Sequence, residues 1–335
     1  MIELASASVL ESQKADAALL KSSTKWMVDG GYGLFIHWVP ESYPFMGSIP
    51  AWQRYEEAVN EFDVKAFADM VNETGAAWVV FTTTHGKYFF PGPLKTLEDL
   101  VPGRTTRRDL VDEISTALAK YNIRLMLYFH PGPSKAEDEQ WATVAGIDPV
   151  DDEKNMKIML AIFAEIGEKY RNKLAGWVID GGGDYYRRNY SFKELMQTLK
   201  VGNNERVVSF FNWLYPKLSV YGGDFTTDLT NFGAALAPPY PVEWSMPGGF
   251  YDGLQPHFNF TLENVWYPDK PMNGKWPALL YSNSELADYM TEMKIIRVPI
   301  TLNLVITQDV TKDRPFVNPA SLQQLRYVRD ATRRM

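Results

Sequence analysis

Residues 63–85 read DVKAFADMVNETGAAWVVFTTTH. The first part, through Gly75, has helical periodicity. The second, AAWVVFTTTH, is an unbroken apolar and β-branched run that ends in a histidine. A strand that is apolar throughout, instead of alternating, is buried on both faces, as in parallel sheets covered by helices. The same alternation continues outward in both directions. GLFIHW (33–38) precedes this unit as a strand. After it come RRDLVDEISTALAKYN (107–122) as helix, IRLMLYFH (123–130) as strand, the long helix EKNMKIMLAIFAEIGEKYRNK (153–173) and the strand LAGWVIDGG (174–182). SFKELMQTLK (191–200) and ERVVSFFN (205–212) form the next pair, and PVEWSM (241–246) reads as a weaker strand. SELADYMTEMKII (284–296), VPITLNLVI (298–306) and NPASLQQLRYVRDAT (318–332) close the chain as helix, strand and helix.

Repeated strand–helix units over about 300 residues predict an α/β fold, a (β/α)8 TIM-type barrel. A doubly wound sheet is the alternative, but no glycine-rich phosphate turn follows the first strand. Neither a linker nor a low-complexity segment divides the chain, which predicts one domain over 1–335. Residues 213–283 are the least regular part and read as long loops at the active face, rich in aromatics between Trp213 and Trp276.

Composition removes several classes of function. A net charge of -7 with no basic run argues against nucleic acid and against an anionic membrane surface. There is no cysteine, so thiolate metal sites, disulfides and thiol nucleophiles are excluded. Nor is there an 18-residue apolar run to span a membrane. MIELASASVLESQKADAALL at the N-terminus has acids and no basic n-region, unlike a signal peptide. The chain is expected to be cytoplasmic if complete, and periplasmic or secreted if a leader was removed. Aromatic residues make up 14%. They serve apolar cores first, and the CH faces of sugars second.

Working residues of such a barrel sit at the C-terminal ends of its strands. His37 ends the first strand, His85 the second and His130 the third, and Asp180 the fourth, while Glu243 lies in PVEWSM. This set supports two chemistries. His with Asp is a common metal ligand set, but His-x-His and His-Glu-x-x-His are both missing. The other reading is a glycosidase pocket, in which histidines and tryptophans hold a sugar while two carboxylates do the chemistry. VIDGGG (178–183) favours it, because three glycines leave open space beside the carboxylate.

At these positions the sequence resembles the family 29 α-L-fucosidases. WMVDGGYGLFIHW (26–38) is similar to the family's G-[IL]-F-I-H-W opening. The helix and strand of 67–85 resemble the approach to its paired histidines, K-H-H-D-G-F. WVIDGGGDY (177–185) resembles the nucleophile strand L-W-F-D-G. YGGDFTT (221–227), PVEWSM and VPITLNLVI match its G-D-[FY]-x-T, P-W-E-x-C-M and G-N-L-L-L-N segments. The likeness runs from Trp26 to the C-terminus and includes no C-terminal β-sandwich.

The resemblance implies a retaining exo-glycosidase without metal or organic cofactor, acting on terminal α-L-fucosyl residues of a carbohydrate. Asp180 takes the nucleophile's place and Glu243 that of the general acid/base. His37 and His85 match sugar-binding histidines, and Tyr128 a strand-end tyrosine. Trp38 is expected to pack against the ring, with Trp52, His130 and Trp177 also in the pocket. Arg206, on the following strand, is expected either to lower the Asp180 pKa or to form a surface ion pair. Four departures stand out, one of them Val178, with Trp177 beside it, where the family has a tryptophan two residues before the nucleophile. The second paired histidine is Gly86 and the Asp after it Lys87. The family's E-W-Y becomes AWQRY, with Ala51 in the glutamate's place. A glycosidase for another sugar and a sugar-binding protein without activity are the alternatives these losses raise.

Overall fold

The computed structural model describes residues 20–42, 50–130, 132, 134–180, 191–210, 223–226, 228–229, 236, 247–248, 253–268, 275–308 and 316–333. Its strands are β1 (Tyr32–Ile36), β2 (Trp78–Thr84), β3 (Arg124–Phe129), β4 (Gly176–Ile179), β5 (Val207–Phe210), β6 (Asp228–Leu229), β7 (Phe258–Thr261) and β8 (Ile300–Asn303). They form one sheet in the order β5-β4-β3-β2-β1-β8-β7-β6, and every pair is parallel. The first and last long strands, β1 and β8, are therefore neighbours. The sheet curls around a concave face.

The helices are α1 (Lys25–Gly30), α2 (Ala51–Glu61), α3 (Val64–Thr74), α4 (Lys95–Leu100), α5 (Leu110–Ala119), α6 (Glu139–Val144), α7 (Asp152–Tyr170), α8 (Phe192–Leu199), α9 (Asn283–Ile295) and α10 (Pro319–Arg333). Their starts follow from local chemistry. Asp63, Asp109, Asp138, Asp151 and Ser191 each accept a backbone N–H of the first turn, and Ser282 with Glu285 forms a capping box. Such side chains satisfy donors that the helix itself leaves without a partner.

Successive strand residues point to opposite faces, and the core divides accordingly. Leu34, Ile36, Val79, Phe81, Leu125, Leu127, Trp177 and Ile179 belong to the large cluster beneath the helices. Phe35, Trp78, Val80, Met126, Tyr128, Val178 and Val207 belong to a smaller cluster on the concave face. Gly33 makes room for this inner layer, because a Cβ there would come within 2.3 Å of the Trp78 indole.

The floor of the concavity carries a chain of buried hydrogen bonds. Trp78 Nε1 donates to Thr301 Oγ1 (3.0 Å), Thr301 Oγ1 lies 2.7 Å from His257 Nε2, and His257 Nδ1 lies 2.8 Å from the Thr226 carbonyl. A carbonyl only accepts, so Nδ1 carries the proton and Nε2 accepts from Thr301. Protonating Nε2 would make it a second N–H donor to Thr301 Oγ1 and take away the acceptor of the Thr301 hydroxyl proton in a buried site. Burial holds the His257 pKa down at about 4, with the Thr226 bond opposing. An unfolded imidazole titrates near 6.5. Below that pH the unfolded chain takes up a proton that the folded chain refuses until about pH 4, so stability falls as pH drops through this window. The expected cost is about 3 kcal/mol. Urea unfolding between pH 7 and 4 should give a steeper pH slope for wild type than for His257→Gln, by about one proton. Equal slopes would remove His257 as the cause.

Residues 213–283 were expected to be loops. Two strands, β6 and β7, fall within them. They escape the sequence reading because β6 is two residues long and FNFT alternates polar residues inward with Phe258 and Phe260 outward.

Candidate active site

Four strands deliver side chains to one end of the concave face. His37 follows Phe35 by two residues, His130 follows Tyr128 by two, and Asp180 follows Val178 by two, so each continues an inward-facing series. Hydroxyls of β2 fix the third strand's end. Thr83 Oγ1 donates to the Tyr128 carbonyl (2.9 Å), and Thr84 Oγ1 bonds both the backbone N–H and the carbonyl of His130 (2.9 and 3.0 Å).

The histidines gather as the sequence predicts. Ring centroids of His37 and His85 are 4.8 Å apart at 80°, and those of His85 and His130 are 6.1 Å apart. Both ring nitrogens of His37 are buried without a hydrogen-bond partner, as is Nδ1 of His85. Burial, and behind it the neighbouring His85 and His130, hold the His37 pKa well below its ordinary 6.5. His85 is pulled down to about 4 by burial and then by His130. At neutral pH both rings are therefore uncharged, each offering one N–H and one lone pair. Among the described residues no three His, Cys, Asp or Glu side chains are arranged to hold a metal ion.

Asp180 is 7% exposed at the end of β4. Its backbone N–H donates to the Phe129 carbonyl (3.0 Å), which holds it in line with the sheet. Tyr128 Oη donates to Asp180 Oδ2 at 2.5 Å. Burial, the Asp180 charge and this bond raise the Tyr128 pKa well above 10, so the phenol remains a donor. The arrangement presents an oriented carboxylate beside uncharged imidazoles. Such a group can act as a nucleophile or as a hydrogen-bond acceptor.

Four expected pocket residues lie elsewhere. Trp38 faces the outer cluster, with Nε1 donating to Gln308 Oε1 (2.9 Å) and its ring stacked on Phe81. Its parity is opposite to that of His37. Trp177 is turned outward for the same reason, packing on Phe129 and Phe163 while Nε1 donates to the Leu199 carbonyl (2.9 Å). Arg206 precedes β5, at the opposite end of the sheet from Asp180. Its guanidinium is 0% exposed and donates to the carbonyls of Leu174, Leu199, Val201, Gly167 and Arg171. None of these partners is Asp180. Trp52, half-buried on α2, packs on Tyr55 and Phe89 in the outer cluster. Glu243, with the rest of PVEWSM, lies outside the described residues.

The structure adds residues that the sequence reading did not single out. Tyr267 stacks on His37 (5.3 Å, 18°) and meets His85 edge-on (5.4 Å). Trp266 lies 5.9 Å from both His37 and Phe35. Both belong to the predicted aromatic stretch, which gave no means of choosing among its members. Glu41, in the turn after β1, is buried with Oε2 unpartnered, and burial raises its pKa to about 8.

Comparison with known proteins agrees with this arrangement. A family model described as Alpha-L-fucosidase matches residues 54–228. Human tissue alpha-L-fucosidase is 33% identical over a segment covering 32% of this chain and 30% of that protein, and the mouse enzyme is 31% identical over 32% and 31%. The matched segment thus spans about a third of the length of these curated relatives. Among solved structures, alpha-L-fucosidase AlfC from Lactobacillus casei in complex with alpha-L-fucose superposes with a TM-score of 0.62 at 15% identity, covering 92% of this chain and 98% of that one. A GH29 alpha-L-fucosidase from Bacteroides thetaiotaomicron, trapped as a covalent intermediate, gives 0.62 at 15% identity over 94% and 76%. These structural likenesses bear on the fold.

Proposed function

The chain belongs to the α-L-fucosidase family, whose model spans more than half of it, and from that premise we propose a retaining exo-glycosidase that removes terminal α-L-fucosyl or closely related sugar residues. The single observation that carries the reading is Asp180, oriented by Tyr128 beside the uncharged His37 and His85 at the strand ends. In the first step a carboxylate oxygen of Asp180 attacks the anomeric carbon and the glycosidic C–O bond breaks. Protonated Glu243 gives its proton to the departing oxygen. In the second step Glu243 takes a proton from water, the water oxygen attacks the anomeric carbon, and the ester bond to Asp180 breaks. Such a double displacement requires carboxyl groups about 5–5.5 Å apart. The trapped covalent intermediate of the Bacteroides relative supports this course. His37 would bond sugar hydroxyls through its two unpaired nitrogens, with Tyr267 and Trp266 as an aromatic wall.

A closed (β/α)8 barrel forming one domain is part of the same proposal. In support, the Asp224 N–H donates to the Val208 carbonyl (2.7 Å) and the Val208 N–H to Asp224 Oδ2 (2.8 Å), bridging β5 to the approach of β6.

Ala51 and Gly86 favour a substrate beyond the simple fucoside. Each hydrogen bond missing to a sugar hydroxyl weakens binding by roughly 0.5–1.5 kcal/mol. A panel of nitrophenyl glycosides tests both points. Measurable but slow hydrolysis of the α-L-fucoside is expected, with faster turnover of a substrate offering further contacts. Efficient turnover of the plain fucoside would show those contacts to be dispensable. Activity that follows added metal, or none on any glycoside, would overturn the glycosidase reading.

A further inference from the structure

At Gly86, a Cβ would meet a single heavy atom within 4 Å, Oε1 of Glu137 at 3.9 Å. The room left there opens toward a carboxylate from the loop after β3. That carboxylate is held in place. Ser134 donates to Oε2 through its backbone N–H (2.9 Å) and its hydroxyl (2.7 Å), and Lys87 Nζ donates to the Glu137 carbonyl. These bonds fix one oxygen and the backbone while turning Oε1 toward Gly86, where no described side chain donates to it. Against the penalty of burial, the two Ser134 bonds hold the Glu137 pKa below its ordinary value, and the Glu137 charge in turn opposes the lowering of the His85 pKa by burial and His130.

A clamped carboxylate with one free oxygen, beside uncharged imidazoles that carry unused donors and acceptors, is suited to polyhydroxylated ligands. Resting on the glycosidase reading, we infer that Glu137 is a sugar-binding residue. Its Oε1 accepts hydroxyl hydrogen bonds from the glycosyl unit held against His85, in the room opened by Gly86. A carboxylate accepting from a hydroxyl is a charge-assisted bond, stronger than a neutral one. It would define a specificity for sugars with a free hydroxyl at that point.

The test compares wild type, Glu137→Gln, Glu137→Ala and Ser134→Ala. Nitrophenyl α-L-fucoside turnover is measured with its monodeoxy analogues, and calorimetric binding of free L-fucose is measured separately. For the parent fucoside, kcat/KM is expected to fall about 10- to 100-fold in Glu137→Gln, mainly through KM, with Ser134→Ala intermediate. The monodeoxy analogue lacking the bonded hydroxyl should be insensitive to the substitution, which a merely structural role would not produce. Wild-type turnover that is unchanged in folded Glu137→Gln and Glu137→Ala overturns the assignment and leaves the glycosidase reading standing. Wild type that binds L-fucose without hydrolysing any glycoside, and loses that binding in Glu137→Gln, supports the assignment and removes the glycosidase reading. Wild type that neither binds nor turns over overturns both.

Discussion

Asp180→Ala is expected to lower turnover of a nitrophenyl glycoside by about three orders of magnitude or more, the scale seen when a covalent nucleophile is removed. The loss is specific to chemistry. Asp180 lies just beyond β4, and its backbone bond to the Phe129 carbonyl does not depend on its side chain. The substitution strands the Tyr128 hydroxyl, a buried donor, at a cost of about 1–3 kcal/mol in stability. Asp180→Asn keeps an acceptor for that hydroxyl and should fold like wild type, yet an amide oxygen forms no glycosyl ester. Azide added to Asp180→Ala should enter the vacated space, attack the anomeric carbon and restore part of the rate, releasing a glycosyl azide of inverted configuration. Near wild-type turnover by folded Asp180→Ala would end the nucleophile assignment. Turnover that is lost but never rescued, with no azide product, would instead fit an acceptor role.

The run from β1 to β4 was legible because its strands are apolar on both faces and each connection carries a helix with a side-chain cap, at Asp63, Asp109, Asp151 and Ser191. Assembly of the histidines was legible for the same reason, since strand ends in a parallel sheet share one side. What the reading missed is parity. Placing Asp180 on the concave face places Val178 there too, and sends Trp177 outward; the same step from His37 sends Trp38 outward. Family likeness pulled both tryptophans toward the sugar, and the pleat takes them away. Trp266, Tyr267, Glu41 and Glu137 were illegible on different grounds. They come from turns and loops, where no periodicity tells which side chain reaches the mouth. Gly86 was legible as a lost contact and as freed volume, but not the carboxylate facing that volume, because what stands opposite a glycine is a tertiary fact.

Arg206→Ala is expected to destabilise the protein by about 4 kcal/mol, lowering Tm by roughly 5–10 °C. The reason lies in how its charge is held. All five of its hydrogen bonds go to backbone carbonyls, on the last turns of α7 and α8 and the entry to β4. Helix C-termini carry partial negative charge and leave carbonyls unpaired, so one guanidinium between two such ends answers both. Burial draws the Arg206 pKa down to about 10, with Glu168 opposing, and the group is still protonated at neutral pH. Alanine would leave buried acceptors unsatisfied and an empty space between α7, α8 and the start of β5. Lysine offers a compact ammonium without the planar fork and should recover only part of the loss. Because this site is at the far end of the strands from Asp180, kcat measured well below the unfolding transition should stay within about twofold of wild type. A variant as stable as wild type would refute the stitching role. A stable, folded variant with a shifted pH optimum would return Arg206 to the service of Asp180.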